Sequence, residues 1–320
     1  MKKTLLLVLL IATAAGAQTG NNAPAPDAPQ GTWPTSKSFP IERVPTPTYA
    51  DMYCAGFISK QTLPDANFIT GGGESPTTTK FLRGDIIFLK GTGYSTGAEY
   101  EIVRALRDIN EYEMYPGERK LLKATGQLYA ELGRVRIIDT RSATAIAQVE
   151  FSCDGMNPGD TAIPFTEKPV LNFHPPIKFD RFLPPSNSSK VSGRIVMGKE
   201  FDAELGTGHK VYLNIGGNQG VKVGDYFRAV RSYEADLTNP VDSLSFLATI
   251  AEDNQMKPPS IEPARFTRPS GPVIHVRDMP RRAVGEILII GVTPTTATGM
   301  IVFAPEDVHA GDNVEIDPVQ

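Results

Sequence analysis

Cysteine is nearly missing from this 320-residue chain: Cys54 and Cys153 occur, and no C-x-x-C spacing. A dithiol redox motif and a thiolate zinc site are thereby excluded. The even pair is read as one disulfide of an oxidising compartment, with two buried free thiols as the alternative. Histidine is scarce as well. His174, His209, His275 and His309 stand singly, without an i, i+4 partner or H-E-x-x-H, so no metal or other cofactor is expected. An excess of one charge is also lacking. Thirty-two Lys and Arg against 36 Asp and Glu leave a formal charge of -4, without the concentrated basic surface that nucleic acid requires.

Long apolar runs are absent too, since a spanning helix needs ~20 such residues. The longest run stands in MKKTLLLVLLIATAAGAQ. Lys2 and Lys3 form a positive n-region, Leu5 to Ile11 an apolar h-region, and Ala15-Gly16-Ala17 a small-residue cleavage site. Residues 1–17 therefore read as a secretory signal peptide, with the mature chain expected in the bacterial periplasm or cell envelope and no transmembrane segment after cleavage. An outer-membrane barrel is not expected, because the strand runs are short and aromatic residues make up 8%.

What the chain has in quantity is proline (27) and glycine (29), set between short apolar runs, the punctuation of strands and turns. Residues 18–48 are rich in Pro, Ala and polar residues, too poor in apolar surface to offset their ordering entropy, and read as a disordered tether. Residues 166–189 form a second proline-rich connector, whose Phe173, Phe179 and Phe182 point to packing against a domain.

An internal repeat organises the rest. GRVRIIDTRSATAIAQVEFSCDGMNPGD from Gly133 aligns without a gap with GEILIIGVTPTTATGMIVFAPEDVHAGD from Gly285, and eight of 28 positions are identical. Upstream, IIFLKGTGYSTGAEYEIVR from Ile86 parallels KVYLNIGGNQGVKVGDYFRAVR from Lys210, matching Tyr100 with Phe227 and Arg104 with Arg231. The expected fold is mainly β: two tandem, related small β-barrels over 49–165 and 190–317, the second carrying a long polar loop at 232–282. Val135 and Ile137 alternate with Arg134 and Arg136, a strand period. GERKLLKATGQLYAELG from Gly117 is the clearest helical candidate, interrupted by Gly126.

The glycine-rich stretch Gly216-Gly217-Asn218-Gln219-Gly220 invites a phosphate-binding reading, but strand residues follow it rather than a helix, and Gly-Lys-Ser/Thr is absent. Turns explain it better. Four Gly-Asp pairs each lead into an apolar strand: Gly84-Asp85, Gly159-Asp160, Gly224-Asp225 and Gly311-Asp312. Glycine supplies positive φ and the aspartate accepts hydrogen bonds from turn amides. Arg83-Gly84-Asp85 spells an adhesion tripeptide, but its Gly-Asp belongs to this turn set.

The order of Gly-Asp strand, Gly220-Val221, Gly224-Asp225, Arg231, Gly285-Glu286, Thr296-Ala297 and Gly311-Asp312 resembles the β-barrel module associated with LysM domains in bacterial envelope proteins. It is also similar to the C-terminal domain of the flagellar assembly protein T. That resemblance implies a secreted, non-catalytic envelope protein. No LysM segment of the GDTLW type is present, so direct peptidoglycan binding does not carry over.

Catalytic signatures are few. Ser-x-x-Lys is absent. The expected function is a binding or scaffolding module for an envelope protein or cell-wall polymer. Rival readings are an envelope hydrolase whose carboxylates converge only in space, and a subunit of a flagellar, pilus or secretion assembly. RFTRPSGPVIHVRDMPRR offers Arg265, Arg268, Arg277, Arg281 and Arg282 as contacts for an anionic partner. The competing reading is a solvated excursion, which its polar composition favours.

Overall fold

Short apolar stretches that alternate with polar residues drive most of the chain into strands, and glycines and prolines set where it turns. The computed structural model describes residues 44–74, 77–106, 113–171, 173–174, 179–183, 190–232 and 280–317. The expected signal peptide, most of the tether, and Arg265, Arg268 and Arg277 lie outside the described residues. Among the described residues no helix is long and apolar enough to cross a membrane.

The first half opens with a short helix α1 (Tyr49–Tyr53), then β1 (Phe57–Ser59), β2 (Phe68–Gly72), β3 (Ile86–Lys90) and β4 (Glu99–Leu106). Helix α2 (Glu118–Thr125) precedes β5 (Gln127–Asp139), β6 (Ala145–Ser152) and β7 (Thr161–Pro164). The antiparallel ladder runs β5-β4-β7-β2-β3-β6 and closes by pairing β6 with β5. β1 adds a seventh strand on the start of β5, Phe57 opposite Tyr129.

The second half contains β8 (Phe182–Leu183), β9 (Ser192–Gly198), β10 (Glu204–Leu205), β11 (Lys210–Leu213) and β12 (Tyr226–Arg231). The expected polar loop lies, but for its ends, outside the described residues, and then come β13 (Arg281–Val292), β14 (Ala297–Phe303), β15 (Val308–His309) and β16 (Asn313–Asp317). Its ladder runs β13-β12-β16-β9-β11-β14 and closes by pairing β14 with β13. β8 adds a seventh strand on the start of β13, and β10 pairs with β15 as a separate ribbon. The protein is thus mainly β, with two closed six-stranded barrels in tandem.

The two barrels share their strand order, and the repeat holds rung by rung. Tyr100 stands opposite Val135 and Phe227 opposite Ile287. Register shifts fall at Ile102/Val103 in one barrel and Ala229/Val230 in the other. Gly133 has φ 143°, and a Cβ there would lie 2.1 Å from the Phe151 carbonyl oxygen, so the bend of β5 needs glycine. Inside the first barrel lie Ile69, Ile87, Leu89, Ile102, Val135 and Ile137, and inside the second Ile195, Leu213, Phe227, Ile287, Ile289 and Ile301.

Outer faces differ because they meet different surroundings. On β5 Arg134 and Arg136 face outward and pair with Glu99 and Glu150. On β13 the equivalents of Arg134 and Arg136 are Glu286 and Leu288, both buried. Leu288 and Ile290 pack with Ala55, Tyr226, Met300 and Val302 against Val44, Leu171 and Phe173. Ile138 is 43% exposed, whereas its repeat equivalent Ile290 is 1% exposed. A second seam joins the barrels where Ile58 and Leu128 meet Val196, Met197 and Tyr212, beside Leu121 and Leu122 of α2.

The helix expected from Gly117 onward is shorter than its spacing implies. α2 ends at Thr125, the Gly126 amide donates to the Leu122 carbonyl (3.1 Å), and the following residues join β5. Pairing with β1 and β4 on both edges satisfies their backbone groups and overrides the i, i+4 pattern. The expected connector also contributes structure: Phe182 lies in β8, and the Phe179 ring meets Phe303 edge-on at 5.1 Å.

Candidate functional site

The four Gly-Asp turns share one geometry. Gly84, Gly159, Gly224 and Gly311 have φ between 93° and 99°. In each turn the Asp amide donates to the carbonyl three residues earlier, and the Asp carboxylate accepts from the amide of that same residue: Leu82, Asn157, Lys222 and His309. Two of the four do more. Asp160 receives Arg104 through Nε (2.8 Å) and Nη2 (2.7 Å), and Asp312 receives Arg231 through Nε (3.2 Å) and Nη2 (2.9 Å). Arg104 and Arg231 are the arginines aligned by the repeat, so its last strand is clamped to β4 in one barrel and β12 in the other. The stretch Gly217–Gln219 forms a single 3-10 turn before the Gly224-Asp225 turn and β12, with no α-helix behind it.

Cys54 and Cys153 form a disulfide. It fixes one end of a strap, residues 54–58, that runs between the barrels. The strap carbonyls accept from the second barrel: Ala55 from the Tyr212 hydroxyl (2.8 Å), Gly56 from Thr298 Oγ1 (3.0 Å) and Ile58 from Thr296 Oγ1 (2.6 Å). Burial pushes the Tyr212 phenol pKa up. Lys210 of β11 also pairs with Asp51 of α1 at 2.5 Å.

Beside the strap lies a cleft of about 330 Å³. Phe57, Ile163, Val223, Ile290 and Val292 contribute apolar wall, Thr293 and Thr298 hydroxyls, and Glu101, Glu131, Glu167 and Lys168 charge. Glu131 is buried and bonded through both oxygens: Oε2 accepts from the Gly56 amide (2.9 Å) and Oε1 from Lys168 Nζ (2.5 Å). Lys168 Nζ also donates to the Met52 carbonyl (2.6 Å) and lies 5.4 Å from the Tyr53 ring centre. Burial, then the charge of Glu131, pushes the Glu101 carboxyl up to about 8, with Lys168 pulling the other way. Glu101 therefore holds a proton at neutral pH.

Sequence reading does not find this cleft, because its carboxyls come from β4, β5 and the connector and meet only after folding. Gly93-Tyr94-Ser95-Thr96-Gly97 has the letters of G-x-S-x-G, but it forms the turn between β3 and β4, and a strand follows where the nucleophile elbow requires a helix. Arg281 and Arg282 open β13, where Arg281 pairs with Glu315 and Arg282 Nε lies 3.1 Å from Glu306. Among the described residues no group of three or more His, Cys, Asp or Glu is placed to hold a metal ion. No protein-family model and no curated protein matches the chain.

Proposed function

We propose that the protein is an exported, non-catalytic envelope protein that acts as a binding or scaffolding module for a protein or cell-wall polymer, and that it works in the periplasm or cell envelope. The observation that carries this reading is the joining of two like barrels by a strap whose polar groups are spent on holding it. The strap carbonyls are taken by Tyr212, Thr296 and Thr298, and both oxygens of Glu131 by Gly56 and Lys168. A carboxylate so committed is a poor nucleophile or base. The disulfide accords with an oxidising compartment. The resemblance to envelope barrel modules points the same way, toward binding and assembly, and a flagellar, pilus or secretion complex is one setting for such a module.

A hydrolase is the second reading, favoured by the protonated Glu101 beside Glu131 in a cleft, an arrangement suited to a general acid. Glycoside cleavage suits it poorly. That chemistry needs carboxyls about 5–9.5 Å apart with the sugar between them, whereas Glu101 hydrogen-bonds toward Glu131. Mild cross-linking in native envelopes followed by purification of the tagged full chain tests the choice. Recovery of a specific protein or glycan partner is expected, and recovery of the tagged chain alone counts against the binding reading. Turnover of envelope polymers that is lost in Glu101→Gln would establish the hydrolase.

A further inference from the structure

The cleft displays, with one of its own residues, how it holds an ammonium ion. Lys168 Nζ sits on the Glu131 carboxylate and the Met52 carbonyl, near the face of Tyr53. Carboxylate, carbonyl and aromatic face are the three partners an ammonium prefers in a partly desolvated site. Among the described residues lining the cleft, Lys168 is the one cation, against three carboxyls, Glu101, Glu131 and Glu167. Among those residues no second ammonium faces Glu101, which shares Lys168 with Glu131. The free volume next to this deficit is walled by Phe57, Ile163, Val223 and Val292, which suits an aliphatic chain.

We propose that this cleft binds a primary alkylammonium group, the end of a lysine side chain on the partner, its carbons against the apolar wall and its nitrogen between Glu101 and Glu131. This rests on the reading of the protein as a binding module and names the chemistry of one contact. The exchange balances. The ligand enters as R-NH3+, the Glu101 carboxyl ionises, and its proton leaves to solvent, so net charge in the cleft is conserved. At neutral pH Glu101 is protonated, held so by burial and by the charge of Glu131. Binding therefore releases protons and weakens as the pH falls.

Titration calorimetry of the purified, oxidised full chain with n-pentylamine tests the site. One saturable site is expected at pH 7, with net release of up to one proton, read from two buffers of different ionisation heat. Affinity should fall at least about tenfold in Glu101→Gln. It should fall likewise at pH 5, and n-pentanol should not compete. Should Glu101→Gln not fold, Val292→Phe fills the cleft from the second barrel, keeps the carboxyls, and should cost the same affinity. No saturable heat up to ~10 mM, or unchanged affinity in the variant that folds, overturns the proposal. Because only purified protein and the amine are used, that failure leaves the envelope-partner reading to its own cross-linking result.

Discussion

At the scale of single residues, identical turn motifs carry unequal energetic weight. Asp225 satisfies one exposed turn amide, whereas Asp312 is 0% exposed and also neutralises Arg231, itself 7% exposed. Asp225→Ala should therefore cost about 1 kcal/mol, the worth of one hydrogen bond. Asp312→Ala strands a buried guanidinium and should cost about 3–5 kcal/mol in urea unfolding. Equal losses would mean that the Arg231 pair contributes nothing. Glu101 makes a second prediction. Its carboxyl titrates near 4.5 when unfolded and at about 8 when folded. The stability gained by holding that proton is full below about 4.5 and is lost as the pH rises through about 8. Glu101→Gln stays neutral throughout, so its stability relative to the native protein should rise from pH 5 to pH 9. Parallel pH profiles for the two proteins would contradict the assignment.

Strands behave according to what covers them. Ile138 and Ile290 occupy the same repeat position, yet only Ile290 is roofed by the connector and strap. Ile290→Ala should cost about 2–5 kcal/mol through transfer and cavity terms. Ile138→Ala, half exposed, should stay within about 1 kcal/mol. The same pair marks how far the sequence was legible. Strand period, the 28-residue repeat and the Gly-Asp turns are local signals, and they carried the barrel architecture. What covers Ile290 was not readable, because its roof comes from Val44, Ala55, Leu171 and Phe173, far away in sequence. Thr144 and Thr296 align as identical letters, yet Thr296 alone reaches across to the strap. The cleft escaped for the same reason: Glu101, Glu131 and Lys168 have no spacing in common. The helix was overextended because leucines of β5 fall at helical intervals by coincidence.

The whole molecule depends on one cross-link placed at a strategic point. Cys54 and Cys153 lie 99 residues apart, and closing such a loop is worth up to roughly 4.7 kcal/mol in the chain-entropy model. Its position adds a structural effect, since Cys54 anchors the strap on which both barrels rest. Cys54→Ser/Cys153→Ser should lower the unfolding midpoint and speed hydrogen exchange of the Gly56 amide more than that of core amides in either barrel. Uniform acceleration everywhere would show that the bond acts on global stability alone. The strap has a further consequence for how the chain acquires its shape. Its carbonyls at Gly56 and Ile58 wait for hydroxyls encoded 242 and 238 positions later. During N-to-C synthesis, β1 therefore keeps an uncovered edge until nearly the last strands emerge. Such late-closing pairings are slow and leave sticky intermediates, so a holding chaperone should raise the yield of correctly assembled protein.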